Sequence, residues 1–263
     1  MRLKVPRGPS VDADRQQREH YDLISAQYEA HNDDPGSQAF RRQFMYAPMF
    51  DAVKLSGARV LDAMCGNGQT TRFLLPAGAS VIGLDVSEKQ ISSYKRRWDG
   101  CGAVCASIFD TPFDNESFDC VVILGGLHHT HPRISDAVRE IERILKPGGH
   151  FCFAEPHTGS LPDLIRRTWY RHDRYFAENE ASIDVEVLKG VFSHSFRFTR
   201  ERYSGNVGYL LVLQSLILRL PLWLKRVYAP AALLIERCIT PILGRRSACF
   251  VVCQWQKTST RSS

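Results

Sequence analysis

The sequence predicts an α/β chain built on a parallel sheet with helices on both faces. Three observations carry this: five short apolar runs bounded by Gly, Asp or Pro, segments of helical spacing between them, and a glycine loop joining the first run to the first of those segments. Buried strands that alternate with helices require a sheet covered on both sides.

The first run, 59–65 (RVLDAMC), leads into Gly66 and Gly68, and Gln69, Thr70 and Thr71 then open a helix over 69–76. The second, 80–86 (SVIGLDV), holds Asp85 near its end and precedes a helix over 87–98. The third, 102–108 (GAVCASI), and the fourth, 118–124 (FDCVVIL), come before a helix over 133–145 that places Ile134, Val138, Ile141 and Leu145 on one face. KPGG at 146–149 should end that helix, since Pro cannot continue it and Gly tolerates the turn, and feed the fifth run, 149–155. Residues 161–190 are predicted helical with a polar middle, and 196–203 and 248–257 alternate as strands do. About 45 residues separate these last two strands, too many for a plain hairpin; they are apolar, basic and interrupted at Pro221, Pro230 and Pro241. The expected organisation is a helical cap over 1–40, a core of 41–203 plus 247–258, a helical insertion over 204–246 and a disordered tail over 259–263.

With 263 residues, 44% apolar and 24% charged, the chain can bury one large core or two small ones. Eight cysteines form no CxxC pair, and two C-x3-C spacings lack the partners of a zinc site, so reduced thiols in a cytosolic protein are expected. The N-terminus is basic but has no apolar core, which argues against a signal peptide and for a cytoplasmic protein. The net charge is +6, and from Arg200 onward ten Lys or Arg against Glu201 and Glu236 give +8, leaving −2 elsewhere. The basic character thus belongs to one quarter of the chain, unlike a nucleic-acid binder, and no nucleic-acid partner is expected.

Chemistry concentrates at 60–71, VLDAMCGNGQTT. Glycine serves where backbone turns sharply and a ligand comes close to a helix N-terminus. Thr71 stands where a dinucleotide fingerprint has its third glycine, which disfavours a nicotinamide cofactor. Asp85, seventeen residues after Gly68 at the end of the second run, is placed to accept the ribose hydroxyls of an adenosine.

Four stretches carry a family resemblance: VLDAMCGNG, VIGLDVSEKQI, TPFDNESFDCVVILGGLHHTHP and IERILKPGGHFCFAEP. In order and spacing the segment from about 20 to 156 resembles the class I S-adenosylmethionine-dependent methyltransferases of the small-molecule kind, types 11 and 25. The resemblance implies a Rossmann-like, doubly wound sheet of seven strands with the last antiparallel and the insertion before it. It implies S-adenosylmethionine as cofactor, its amino-acid part backed by Cys65, Gly66, Asn67 and Gly68, its ammonium held by Asp62 directly or through water, and its ribose held by Asp85. Val86, Gln90 and Leu124 fall on the same motifs, and Tyr28 in HYDLISAQYEAH matches a tyrosine that reaches over the cofactor. Where the family has an acidic residue for the adenine amino group this chain has Ser107, followed by Ile108, with Asp110 as a fallback.

Methyl transfer asks a protein to align reactants and exclude water, and a hydroxyl nucleophile also needs a base. His129, with His128 beside it, is the candidate base past the fourth run; alternatively one imidazole packs and the other caps a helix. His128, His129 and His131 lack the spaced partners of a metal site, and no metal is expected. Glu155 could orient substrate or cap a loop. Cys65 suits a packed turn better than a nucleophile.

The insertion contains YLLVLQSLILRLPLWLKR, 209–226. A span needs about 20 apolar residues, and the apolar stretch that starts at Val207 meets Arg219 after twelve. A core helix and an amphipathic cover remain, the cover anchored at an anionic membrane surface by Trp223, Lys225 and Arg226 or closed over an apolar acceptor, with LIRRTWYRHDR at 164–174 adding arginines. The expected substrate is therefore a small or amphiphilic acceptor, methylated at oxygen or carbon; the alternative function is a non-catalytic S-adenosylmethionine sensor or interaction protein.

Overall fold

The computed structural model describes residues 31–164, 181–216 and 218–259. Tyr28, most of the 164–174 segment and the end of the tail lie outside them.

Seven strands form one sheet in the order β3-β2-β1-β4-β5-β7-β6. They are β1 (Arg59–Ala63), β2 (Ser80–Asp85), β3 (Gly102–Cys105), β4 (Phe118–Leu124), β5 (Leu145–Pro156), β6 (Phe196–Ser204) and β7 (Phe250–Lys257). β1 to β5 pair in parallel, and β7 is antiparallel to both β5 and β6, so it alone runs against the rest. The doubly wound architecture expected from the sequence is present.

The helices are α1 (Pro35–Phe40), continued by a π-helical stretch Arg41–Tyr46 and a last turn Ala47–Met49, then α2 (Thr71–Leu74), α3 (Glu88–Arg97), α4 (Ile134–Ile144), α5 (Val185–Phe192) and α6 (Leu222–Ser247). Strand residues alternate between two cores because successive side chains point to opposite faces. Leu61, Val121, Ile123, Phe151 and Phe153 meet α4 and α5 on one face, while Val60, Val122, Cys152 and Val252 meet α1 and α6 on the other. Trp255 is fully buried, with Phe153 and Phe198 rings at 5.1 and 4.9 Å.

KPGG is not a boundary between helix and strand. Leu145 already pairs with Phe118, and the next pair is Cys120 with His150, so 146–149 bulge out with Gly148 at φ 78° before the ladder resumes. The helix after the glycine loop is also shorter than its apolar spacing suggests, ending at Leu74.

The segment between β6 and β7 leaves the sheet beside Ser204 and returns at Phe250, which pair with each other. Phe250 also pairs with Pro156, so both ends of this segment lie at the edge where the parallel strands end. It holds a π-helical turn, Tyr209–Leu213, and α6, which contains Pro230 and Pro241 and whose helical path breaks at Gly244. The buried residues of α6 are Lys225, Ala229, Ala232, Glu236 and Thr240, one inward stripe. Glu236 accepts from the backbone N–H groups of Gly205, Asn206 and Gly208 at 2.9–3.1 Å and from the Thr240 hydroxyl. Lys225 donates to the Asp34 carboxylate at 2.5 Å and to His31 O and Ser37 Oγ, both at 2.8 Å.

This corrects the expected role of Lys225 as a surface anchor: it is fully buried, and a buried ammonium is tolerated because three oxygens surround it. The inward stripe thus contains both an ammonium and a carboxylate, each with its own partners.

Candidate active site

The C-terminal edge of the parallel strands gathers the glycine loop after β1, Asp85 at the end of β2, the turn after β3, the histidines after β4 and Glu155 near the end of β5. In open α/β sheets this edge is where ligands bind.

Gly66 has φ 52°, and a Cβ there would meet nothing nearer than the Gln90 amide oxygen at 3.9 Å. Its backbone is thus open to a ligand. Gly68 (φ 85°) is needed for a different reason: a Cβ would lie 2.1 Å from Trp98 Nε1, because the Trp98 indole packs on the loop and donates to Asn67 O at 2.8 Å. Asp85 is half-buried; its oxygens accept from Gly66 N and Ser87 N, both at 2.9 Å, which draws the loop onto the end of β2. A carboxylate oxygen accepts more than one hydrogen bond, so this use is compatible with binding hydroxyls. Asp62 is buried and accepts from Thr71 N at 3.0 Å and Thr71 Oγ1 at 2.7 Å, holding the start of α2. Burial raises its carboxyl from 3.8 to about 7, against the Thr71 hydrogen bonds and with a smaller push from Asp85.

Past β4, Gly125 and Gly126 lead to a single 3-10 turn, Leu127–Thr130. The Glu155 carboxylate accepts from Gly126 N and Leu127 N at 2.8 Å, from His128 N at 3.4 Å and from His128 Nδ1 at 2.7 Å. Burial pushes Glu155 up to about 7 despite these donors. The two histidine rings lie 3.9 Å apart between centroids, and both side chains are buried. Of the two roles open to Glu155, capping the turn is observed, and the same carboxylate orients His128.

The methyltransferase-domain family model matches residues 61–153. The chain is 33% identical over 150 residues to the phthiotriol/phenolphthiotriol dimycocerosates methyltransferase of Mycobacterium leprae, covering 54% of this chain and 54% of that one. It is 38% identical over 117 residues to the demethylmenaquinone methyltransferase of Clavibacter sepedonicus, covering 43% and 46%. The chain spans about half the length of the curated relatives it matches. A crystal structure of an S-adenosylmethionine-dependent methyltransferase from Archaeoglobus fulgidus shares the fold at a TM-score of 0.60, with 18% identity over 90% of this chain and 99% of that one. The chain carries a class I S-adenosylmethionine-dependent methyltransferase domain.

In this domain the remaining sequence-predicted residues are placed as follows. Cys65 and Asn67 are buried in the loop, and Gln90 is buried in the first turn of α3, its amide oxygen toward Gly66. Val86 and Leu124 are half-buried at the ends of β2 and β4. Ser107 accepts from Phe109 N at 3.3 Å in the turn after β3. Ile108, next to Ser107, has its side chain buried in the core cluster of Leu61 and Leu84. Asp110 is exposed.

The methyltransferase domain also uses residues that the motifs did not single out. Met64 sits at φ 55°, a strained conformation for a side-chain-bearing residue, and its Cβ lies 2.9 Å from where Gly126 would carry one, so the loops after β1 and β4 touch. Gln38 donates to Gln69 Oε1 at 2.7 Å, Gln69 donates to Asp33, and Asp33 pairs with Arg97 at 2.6 Å. The residues before α1 are thereby fastened to the glycine loop and to α3. Local pattern gives only the expected helical cap here, because the partners of these residues are 31 and more positions away.

The raised Asp62 value gives a pH dependence. An ammonium beside Asp62 favours the carboxylate, so affinity for S-adenosylhomocysteine should rise as the pH passes upward through about 7. Linkage gives the opposite sign for folding: with the folded value raised above 3.8, the stability contributed by the neutral form is fully present below pH 3.8 and lost as pH rises through about 7. Titration calorimetry across this range checks the binding effect, and Asp62→Asn should flatten it; an equal slope in both proteins would exclude Asp62 as its source.

Proposed function

We propose that this protein methylates a small or amphiphilic acceptor at oxygen or carbon, using S-adenosylmethionine. The observation that carries the reading is the open backbone at Gly66 drawn against Asp85, which suits a ligand with an adenosine ribose and a charged amino-acid end. Gly66, Asn67 and Asp62 would hold that end, and Asp85 the ribose, with Val86, Gln90, Ser107 and Leu124 around them. When bound, the cofactor supplies a methyl group on a sulfonium, ready for in-line displacement.

The chain's own part is to exclude water and to hold a proton at a defined atom. The contact between Glu155 and His128 Nδ1 favours His128 over His129 as the base, since a carboxylate on one ring nitrogen sets the tautomer and makes the other basic. His129, its ring tilted by 37° against that of His128, would pack against the acceptor. That curated relatives include enzymes named for phthiotriol lipids and demethylmenaquinone supports an apolar acceptor, as does an insertion whose two ends lie at this edge of the sheet. A cytoplasmic location agrees with the eight cysteines.

Calorimetry with S-adenosylmethionine and S-adenosylhomocysteine is the direct test. The wild type should bind both, and Asp85→Ala should lose at least about tenfold in affinity, the scale of a charge-assisted hydrogen bond. Unchanged affinity in Asp85→Ala would refute the assignment. Transfer of labelled methyl to a lipid extract, absent in a binding-competent His128→Ala, separates an enzyme from a sensor.

A further inference from the structure

Helix α6 buries charged side chains and turns large apolar ones to solvent, the reverse of a soluble surface helix. Its inward stripe contains Lys225, Glu236 and Thr240, while the residues it turns outward include Trp223, Val227, Leu234 and Ile242, which are 70%, 73%, 63% and 80% exposed. These four recur at intervals of four, seven and eight residues, the spacing of one helical face. With Lys225 and Glu236 buried, the exposed charged side chains of α6 are Arg226, Arg237, Arg245 and Arg246, and Arg245 pairs with Glu186 at 3.4 Å. The outer surface of α6 is thus apolar and cationic, with no exposed acid of its own.

We propose that this face docks in the plane of an anionic lipid bilayer. Trp223, Val227, Leu234 and Ile242 enter the boundary between headgroups and acyl chains, and Arg226, Arg237 and Arg246 meet lipid phosphates. Charge complementarity selects this occupant: an apolar stripe flanked by arginines matches an interface that is apolar beneath and negative at its surface. The helix is long and apolar enough to cross a membrane by length and composition. It lies in the plane instead, because its inward stripe, which includes the ionisable Lys225 and Glu236, is packed on the protein from Lys225 to Thr240 and is costly to bring to membrane depth. Docking would set the C-terminal edge of the sheet, where the insertion begins and ends, toward the lipid. The proposal goes beyond the methyl-transfer reading and stands without it, since it concerns the surface of α6 alone.

Sedimentation of the full chain with vesicles tests it, using phosphatidylcholine alone and phosphatidylcholine containing phosphatidylglycerol, each at low and high salt. The wild type should pellet with the anionic vesicles, less at high salt, and Trp223 emission should shift to the blue, a shift lost in Trp223→Phe. Two variants are compared: Val227→Ser with Leu234→Ser and Ile242→Ser, and Arg226→Glu with Arg237→Glu. Both should bind S-adenosylhomocysteine as the wild type does, and each should lower vesicle partition by about tenfold or more. Wild type remaining in the supernatant, or both variants pelleting fully, overturns the proposal. So does a wild-type dimer without vesicle binding that the serine variant converts to monomer, because the face would then belong to a second copy.

Discussion

Glu155→Ala should lose about 3–5 kcal/mol of folding stability, because one buried carboxylate satisfies three backbone N–H groups and the His128 ring, and each orphaned buried donor costs roughly 1–3 kcal/mol without strict additivity. Denaturant unfolding at fixed pH measures this, and a loss below about 1 kcal/mol would mean that the turn finds other acceptors. Glu155→Gln separates structure from chemistry. Its amide oxygen can still accept from Gly126 and Leu127, but it no longer offers a carboxylate to His128. The expected result is most of the wild-type stability, unaltered cofactor affinity and a methyl-transfer pH profile whose base limb is displaced toward lower pH with a reduced maximal rate, because His128 loses the carboxylate that favours its imidazolium. An unchanged profile would leave Glu155 a cap and nothing more.

Lys225→Met should be comparably damaging. It leaves Asp34, which also accepts from Gly36 N and Ser37 N at the start of α1, without its buried counter-charge. Breaking one side of a buried pair costs about 3–5 kcal/mol, whereas replacing both sides costs much less. Lys225→Met with Asp34→Asn should therefore recover part of the loss, a coupling read from the double-mutant cycle. Desolvation lowers the Lys225 value and Asp34 opposes it. The functional consequence follows from the chain of contacts: Asp34 adjoins Asp33, which reaches Gln69 and Arg97. Loosening the start of α1 should thus weaken S-adenosylhomocysteine binding although α6 does not touch the glycine loop through Lys225. Wild-type melting and affinity in Lys225→Met would disprove both statements.

Local pattern was enough for the strands, their order of burial and the glycine loop, because alternation of apolar residues and the turn chemistry of Gly66 act within a few residues. The same holds for Asp85, which sits at a strand end that the apolar run SVIGL already marks. Gly68 lies in the expected loop, but the indole of Trp98, thirty positions on, and not the approach of a ligand is what excludes a side chain there. Neighbouring residues cannot be ranked by local pattern either: His128 and His129 are equivalent in sequence, and only the pairing of β4 with β5, which brings Glu155 beside the turn, distinguishes them.

The insertion shows the division most clearly. Its apolarity, excess of arginine, proline breaks and position between the last two strands are properties of the sequence itself. Which side of α6 faces the protein is not, because apolar residues outnumber polar ones around the helix and periodicity then carries no preferred direction. That choice was made by partners far along the chain: Asp34, Ser37 and His31 draw Lys225 inward, and the backbone of 205–208 draws Glu236 inward. Buried charges must be paired, so these contacts rotate Trp223, Val227, Leu234 and Ile242 out to the surface.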